Sequence, residues 1–202
     1  MQNQRPLISH EFKAHDKFLA VLVSMDEMLA KRVRDAGCRH CGGPLYRADY
    51  PRKPRGGLIA GVGEAQTRRR SFCCGREGCR ARATPPSVLF LGRKVYLGIV
   101  VIVASLIAQA VGLKRESQEK SGVPKRTIGR WLSWWRDRFG ESALFVTLRG
   151  RISGEVQTDD LPACLVERFR GDAEAKLRAM LRLISPITTV SVPIESSLLM
   201  LP

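Results

Sequence analysis

From 15 to 35, apolar residues recur at spacings of three and four: Phe18, Leu19, Leu22, Met25, Leu29 and Val33. That rhythm predicts an amphipathic helix. Asp26 and Glu27 precede Lys31, Arg32 and Arg34, the order a helix dipole favours, and Gly37 offers a stop. From 37 to 86 the helical rhythm is lost. Short strand-like pieces, with Leu45 to Ala48 the first, alternate there with Gly and Pro. Residues 50–57 form a basic stretch stiffened by Pro51 and Pro54 that cannot serve as a central strand. Pro85 and Pro86 end any pairing.

From 96 to 112 the pattern becomes a continuous apolar run, interrupted by Ser105 and Gln109. A helix apolar on all sides is either the centre of a small bundle or a membrane span. The run is at the lower limit of spanning length, and basic pairs on both flanks (Arg93 and Lys94, Lys114 and Arg115) give no orientation bias. The reading adopted is a buried helix, with a membrane-anchored protein as a rival. Further on, Ile128, Trp131, Leu132 and Trp135 again follow helical spacing. Leu144 to Leu148 is a short apolar run. Two helices are expected at 161–170 and 173–183, with Asp172 as N-cap of the second and Leu177, Met180, Leu181 and Ile184 as its apolar stripe. Pro186, Pro193 and the final residues suggest an ordered or partner-dependent tail. The fold class is therefore mainly α with a small β ribbon. Its segments are a tail and helix at 1–36, a ribbon at 37–92, a helix-turn-helix bundle at 93–140 and a C-terminal helical module at 141–202.

Charge changes this picture. The chain of 202 residues carries a net charge of +15. Residues 31–140 hold 24 Lys and Arg against 7 Asp and Glu, which leaves 10 against 12 elsewhere. A cationic field confined to one region attracts polyanions, and release of their counterions supplies binding free energy.

Six cysteines add a chemistry. Cys38 and Cys41 form one close pair, and Cys73, Cys74 and Cys79 form a second cluster about thirty residues on. Residues 1–15 are polar and lack an apolar core, so the sequence favours a reducing compartment, in which tight cysteine pairs read as metal ligands. Four residues separate Cys74 from Cys79, within the usual chelating range, and five separate Cys73 from Cys79. The expected ligands are thus Cys38, Cys41, Cys74 and Cys79 around a structural Zn²⁺, with Cys73 a packing residue or an occasional substitute. His40 should point outward, and Cys164 should be a small core residue.

From 114 to 139 the sequence suggests a helix-turn-helix. Gly122 suits the left-handed turn, Val123 the apolar anchor and Pro124 the first turn of a helix. With Ile128, Trp131, Leu132 and Trp135 inward, the outer face carries Lys125, Arg126, Thr127, Arg130 and Ser133, types that reach phosphates and base edges. Arg52, Lys53, Arg55, Arg68, Arg69 and Arg70 in the ribbon would clamp phosphates. Gln118, four before Gly122, departs from the motif, because a small residue there would let the helices approach.

The region 37–139 resembles bacterial zinc-ribbon plus helix-turn-helix proteins associated with transposases. Phe72 and Cys74, Cys79 with Arg80-Ala81-Arg82, and Thr84-Pro85-Pro86-Ser87 carry the resemblance. It implies double-stranded DNA binding, in a mobile-element or regulatory setting, by a cytoplasmic, nucleoid-associated protein. The partner would be a separate transposase or a second copy of the chain. Catalysis is not expected. Asp159, Asp160 and Glu167 lie where capping explains them, and the histidines (His10, His15, His40) all fall near the N-terminus. An RNA-binding module, stacking through Tyr50 or the tryptophans, is the other rival.

Overall fold

The computed structural model describes residues 15–54, 63–91, 96–150 and 156–189. Arg55, His10, the 1–11 tail and the residues after 189 lie outside them. The described chain is mainly helical with small antiparallel sheets. It divides into two compact units, one drawing on His15–Arg55, Gly61–Gly98 and Leu181–Pro202, the other on Ile99–Met180.

The first unit opens with helix α1, Asp16–Ala36. His15 caps it, its Nδ1 accepting from the Phe18 amide at 3.3 Å, and Gly37, at φ 76°, ends it by donating to the Arg34 carbonyl. The buried positions are Phe18, Leu19, Leu22, Asp26, Ala30 and Val33, while Met25 and Leu29 are only half-buried. Strands β1 (Leu45–Arg47), β4 (Phe72–Cys74) and β5 (Arg82–Ala83) form an antiparallel sheet in the order β1-β4-β5. Its register sets Leu45 opposite Cys74, Tyr46 opposite Cys73, and Cys73 opposite Arg82. Strand β2 (Tyr50–Pro51) pairs with β3 (Arg68–Arg69), so Pro51 sits on a two-stranded ribbon where its missing N–H is tolerated. Ala30 and Val33 of α1 join Cys38, Leu45, Phe72 and Cys74 in one apolar cluster.

Two polar clusters bind this unit together, and neither was legible as such in the sequence. In the first, Arg47 spans Glu27 and Asp49 at 2.8 and 2.9 Å, and Arg70 spans the same two acids. In the second, Asp26 is turned into the core rather than serving the helix dipole. Its carboxylate accepts from the Ser87 hydroxyl (2.5 Å) and the Val88 amide (2.6 Å). Ser87 Oγ in turn accepts from the amides of Leu89 and Phe90. Asp26 therefore secures the 87–90 turn, and burial pushes its pKa up to about 6 despite the lowering effects of Ser87 and the Arg69 charge.

The second unit is built around α2, Gly98–Val111. From Ile99 to Ala108 every residue is buried. Ser105 meets its needs locally, donating to the Val101 carbonyl at 2.7 Å and accepting from Trp135 Nε1 at 3.2 Å. Gln109 donates to the Leu161 carbonyl. Among the described residues no helix is long and apolar enough to cross a membrane. The 14 residues of α2 fall short of the roughly 20 that a bilayer core requires.

Helices α3 (Arg115–Ser121) and α4 (Lys125–Ser133) follow, with Gly122 between them at φ 63°, ψ 15°. A π-helical turn, Trp134–Phe139, continues α4, and its rings stack edge to face: Trp134 on Trp135 at 4.8 Å, Trp135 on Phe139 at 5.1 Å. Helix α5 (Ala143–Arg149) is capped by Ser142, whose hydroxyl accepts from the Phe145 amide at 3.2 Å. The helix expected over 161–170 is reduced to α6, Ala163–Val166. The Arg168 and Phe169 amides reach back three residues instead of four, to Leu165 and Val166, so the helix tightens and ends. In α7, Ala173–Ile184, Asp172 accepts from the Ala175 amide at 2.8 Å, and Leu177, Met180, Leu181 and Ile184 are buried, as the sequence pattern predicted.

Candidate metal centre and basic surfaces

The sulfur atoms of Cys38, Cys41, Cys74 and Cys79 all lie within 4.8 Å of one another. Cys38 and Cys79 are 3.7 Å apart, Cys41 and Cys74 3.5 Å. Disulfide sulfurs stand about 2.05 Å apart, and all six cysteines here are free. A tetrahedron of sulfurs about 2.3 Å from a central ion has edges of about 3.8 Å. The cluster therefore has the dimensions of a four-thiolate metal site.

The backbone is shaped for it. In the first knuckle the Gly42 amide donates to the Cys38 carbonyl at 2.7 Å, with Gly42 at φ 67°. This turn aims the His40 and Cys41 amides at the Cys38 sulfur, and the His40 amide is the main reason that thiol falls to about 7. In the second knuckle the Arg76 amide points at Cys74 and the Ala81 amide at Cys79, with Gly78 at φ 80° and Arg80 at φ 46°. Cys74 nonetheless rises to about 12, because burial and the three neighbouring thiols outweigh the Arg76 amide. Thiolates this close repel one another strongly unless a cation sits among them. The donor set and its ring of amides fit such an ion.

Strand alternation decides between the adjacent cysteines. Cys74 is buried with the cluster, whereas Cys73 faces the other side of β4, its sulfur 3.5 Å from the Arg80 carbonyl. His40 is exposed and outside the cluster. Cys164 is half-buried rather than deep in a core, and burial raises its pKa to about 11.

Gly43 leaves room for two of the sulfurs. A Cβ there would lie 3.2 Å from the Cys41 sulfur, 3.3 Å from that of Cys74 and 3.2 Å from Arg76 Cβ. Gly43→Ala keeps every ligand yet crowds two of them. It should weaken metal retention against a chelator by about 10- to 100-fold, the range seen when groups supporting ligands are disturbed. Unchanged retention would show that the crowding is relieved elsewhere.

The basic residues expected on the surface divide into two groups. Lys125, Arg126 and Arg130 are exposed on α4, and Ser133 is half-buried. Arg126, Arg130 and Ser133 fall at i, i+4 and i+7 on one face. Thr127 is turned inward instead, its hydroxyl accepting from Arg130 Nη2 at 3.3 Å. Lys53 and Arg68 are exposed, Arg68 lying 3.7 Å from Glu64. Arg69 is a correction. It is 1% exposed, donates to the Pro85 carbonyl at 2.6 Å and cannot reach a phosphate. Arg70, its side chain 12% exposed, is held between Glu27 and Asp49. Arg52 is half-buried, its guanidinium 6.0 Å from the Tyr50 ring and 5.8 Å from that of Phe90. A run of arginines reads the same in sequence whether its members face water or structural acids, and here two of three in 68–70 face inward.

The departure at Gln118 also resolves. The small buried residues of α3 are Ser117 and Ser121, one register away, and Ser121 Oγ accepts from the Val123 amide at 3.2 Å. Gln118 is exposed, and its Oε1 accepts from the Lys125 amide at 3.1 Å, satisfying an orphan donor at the start of α4.

No protein-family model, curated protein or solved structure matches the chain.

Proposed function

We propose that the chain is a non-catalytic, zinc-dependent DNA-binding protein, made of a four-cysteine zinc ribbon and a helix-turn-helix. In this reading it is a transposase-associated factor or a transcriptional regulator in the cytoplasm, on the nucleoid. The observation that carries it is α4. The helix begins just after a left-handed glycine turn, buries Ile128 and Trp131, and exposes Lys125, Arg126 and Arg130. A helix that buries one face and presents cations and hydrogen-bond donors on the other suits the major groove of duplex DNA. The region's charge balance favours the same partner.

Zinc is the ion best suited to four thiolates at this spacing, and when bound it would supply a closed structural crosslink with no open position. Cys38, Cys41, Cys74 and Cys79 would hold it, and the amides of His40, Arg76 and Ala81 would steady their charge. The acids weighed for catalysis sit on a turn, Thr158–Asp160, and at the end of α6, where Glu167 follows Val166. Partnership with a separate transposase or a second copy belongs to this proposal as well.

The double substitution Arg126→Ala, Arg130→Ala tests it. If either arginine reads a base, discrimination among duplex sequences falls by about 1–3 kcal/mol per lost bidentate contact. If they touch phosphates only, the salt slope of log K drops by about 0.9 for each. Titrations of duplex at several salt concentrations, with metal content checked in parallel, separate these cases. Duplex binding unchanged in both respects would remove α4 from the interface.

A further inference from the structure

Leu113 stands in the connection between α2 and α3, at a place its neighbours define closely. Gly112 precedes it at φ 80°, and the Lys114 amide donates to the Gly112 carbonyl at 2.9 Å, so 112–114 form a tight turn with Leu113 at its tip. The side chain is 37% exposed. An apolar residue just before a helix cap commonly covers the fourth residue of that helix. With Lys114 as the N-cap of α3, that partner would be Gln118, which is polar, exposed and committed to the Lys125 amide. A staple on α3 therefore does not account for this leucine.

Leu113 lies instead over Gly129 of α4. A Cβ at 129 would fall 3.2 Å from Leu113 Cδ2. Glycine weakens a helix interior, and here its missing side chain leaves room for the leucine. Gly129 is one turn beyond Lys125, three residues beyond Arg126 and one turn short of Ser133, on the side of α4 opposite the buried Thr127 and Trp131. Leu113 thus sets one apolar tip within the cationic outer face of the helix.

We propose that Leu113 determines specificity for the duplex site, contacting the C5-methyl group of a thymine in the major groove while a donor on Lys125 or Arg126 takes that base's O4. This inference rests on the reading of α4 as the helix in the groove and names a base that it selects. The edge of thymine offers a methyl group beside an acceptor. Lysine and arginine carry donors and no acceptor, so the surroundings of Leu113 match that edge. The methylated cytosine base has the same methyl group beside an amine donor, which neither cation can accept. Uracil keeps the O4 of thymine and lacks only the methyl group.

The test uses the full-length, metal-loaded protein and the duplex it enriches from a random duplex library, titrated by fluorescence anisotropy. Each thymine of that duplex is replaced in turn by deoxyuridine. At one position the parent should lose about fourfold in affinity, the worth of burying one methyl group. Leu113→Ala should bind the thymine and uracil duplexes equally at that position, whatever its overall affinity. Leu113→Met, which keeps an apolar reach, should retain most of the difference. Each variant is compared with itself on two duplexes, so a change in its stability cancels. 5-Methylcytosine paired with guanine at that position should bind more weakly than thymine, and equal binding overturns the assignment to thymine. The proposal is also overturned if Leu113→Ala abolishes a thymine-over-uracil preference at no position. In that case, loss of duplex binding by Arg126→Ala, Arg130→Ala would keep α4 in the groove and reject Leu113 alone. A library from which the parent enriches nothing overturns both readings.

Discussion

Replacing Cys74 by serine is expected to strip the chain of its metal and unfold the ribbon of β1, β4 and β5, while the same change at Cys73 leaves one ion per chain. The two residues are adjacent, and only strand geometry separates them. Cys74 is fully buried among the other three ligand sulfurs, whereas Cys73 faces away beside the Arg80 carbonyl. The magnitude follows from how much of the ribbon is built on these four residues. Its strands are two or three residues long, and its apolar cluster includes Cys38 and Cys74 themselves. Structural zinc contributes about 10–16 kcal/mol in comparable small sites, against a whole-domain stability of about 5–15 kcal/mol. Elemental analysis after dialysis, with thermal melts of both variants, checks this. Metal loss from Cys73→Ser together with retention by Cys74→Ser would exchange the two roles.

The second large effect is expected at Asp26. Asp26→Ala removes the acceptor of the Ser87 hydroxyl and the Val88 amide, and takes a negative charge from the surroundings of buried Arg69. Leaving a buried donor without its partner costs about 1–3 kcal/mol, and here the Ser87 hydroxyl and the Val88 amide both lose theirs. Burial alone already lowers the pKa of the Arg69 guanidinium, and one of its nitrogens, Nη1, has no hydrogen-bond partner among the described residues. The pH dependence has a definite sign. The folded-state pKa of Asp26, about 6, is above its ordinary value of 3.8, so the folded chain binds the proton more tightly than the unfolded one. Stability from this group is greatest below the unfolded value and declines as pH rises through the window between the two. The gap between parent and Asp26→Ala should therefore widen as pH is lowered from neutral into that window. Denaturant melts across this range measure it, and a gap that narrows would mean the carboxylate is stabilised in its charged form.

Much of the frame was legible because it rests on periodicity and spacing. Helix α1, the apolar α2, the stripe of α7 and the choice of Cys74 over Cys73 follow from the 3.6-residue repeat and from the reach of a chelating loop. What was not legible depends on partners distant in sequence. Asp26 looks like a helix-surface acid until Ser87 and Val88, 61 and 62 positions away, are folded against it. Arg69 and Arg70 look like a cationic patch until Pro85, Glu27 and Asp49 claim them. Ser117, rather than the residue at 118, is a small buried residue of α3, one position from the familiar spacing.

The most direct test of the central proposal is selection of fragmented genomic DNA by the purified, zinc-loaded protein near physiological salt, followed by sequencing. The proposal predicts discrete enriched duplex sites, lost in the Arg126→Ala, Arg130→Ala variant, whose positions at element ends or promoters distinguish a mobile-element role from a regulatory one. Uniform recovery of all fragments, or none, would contradict it.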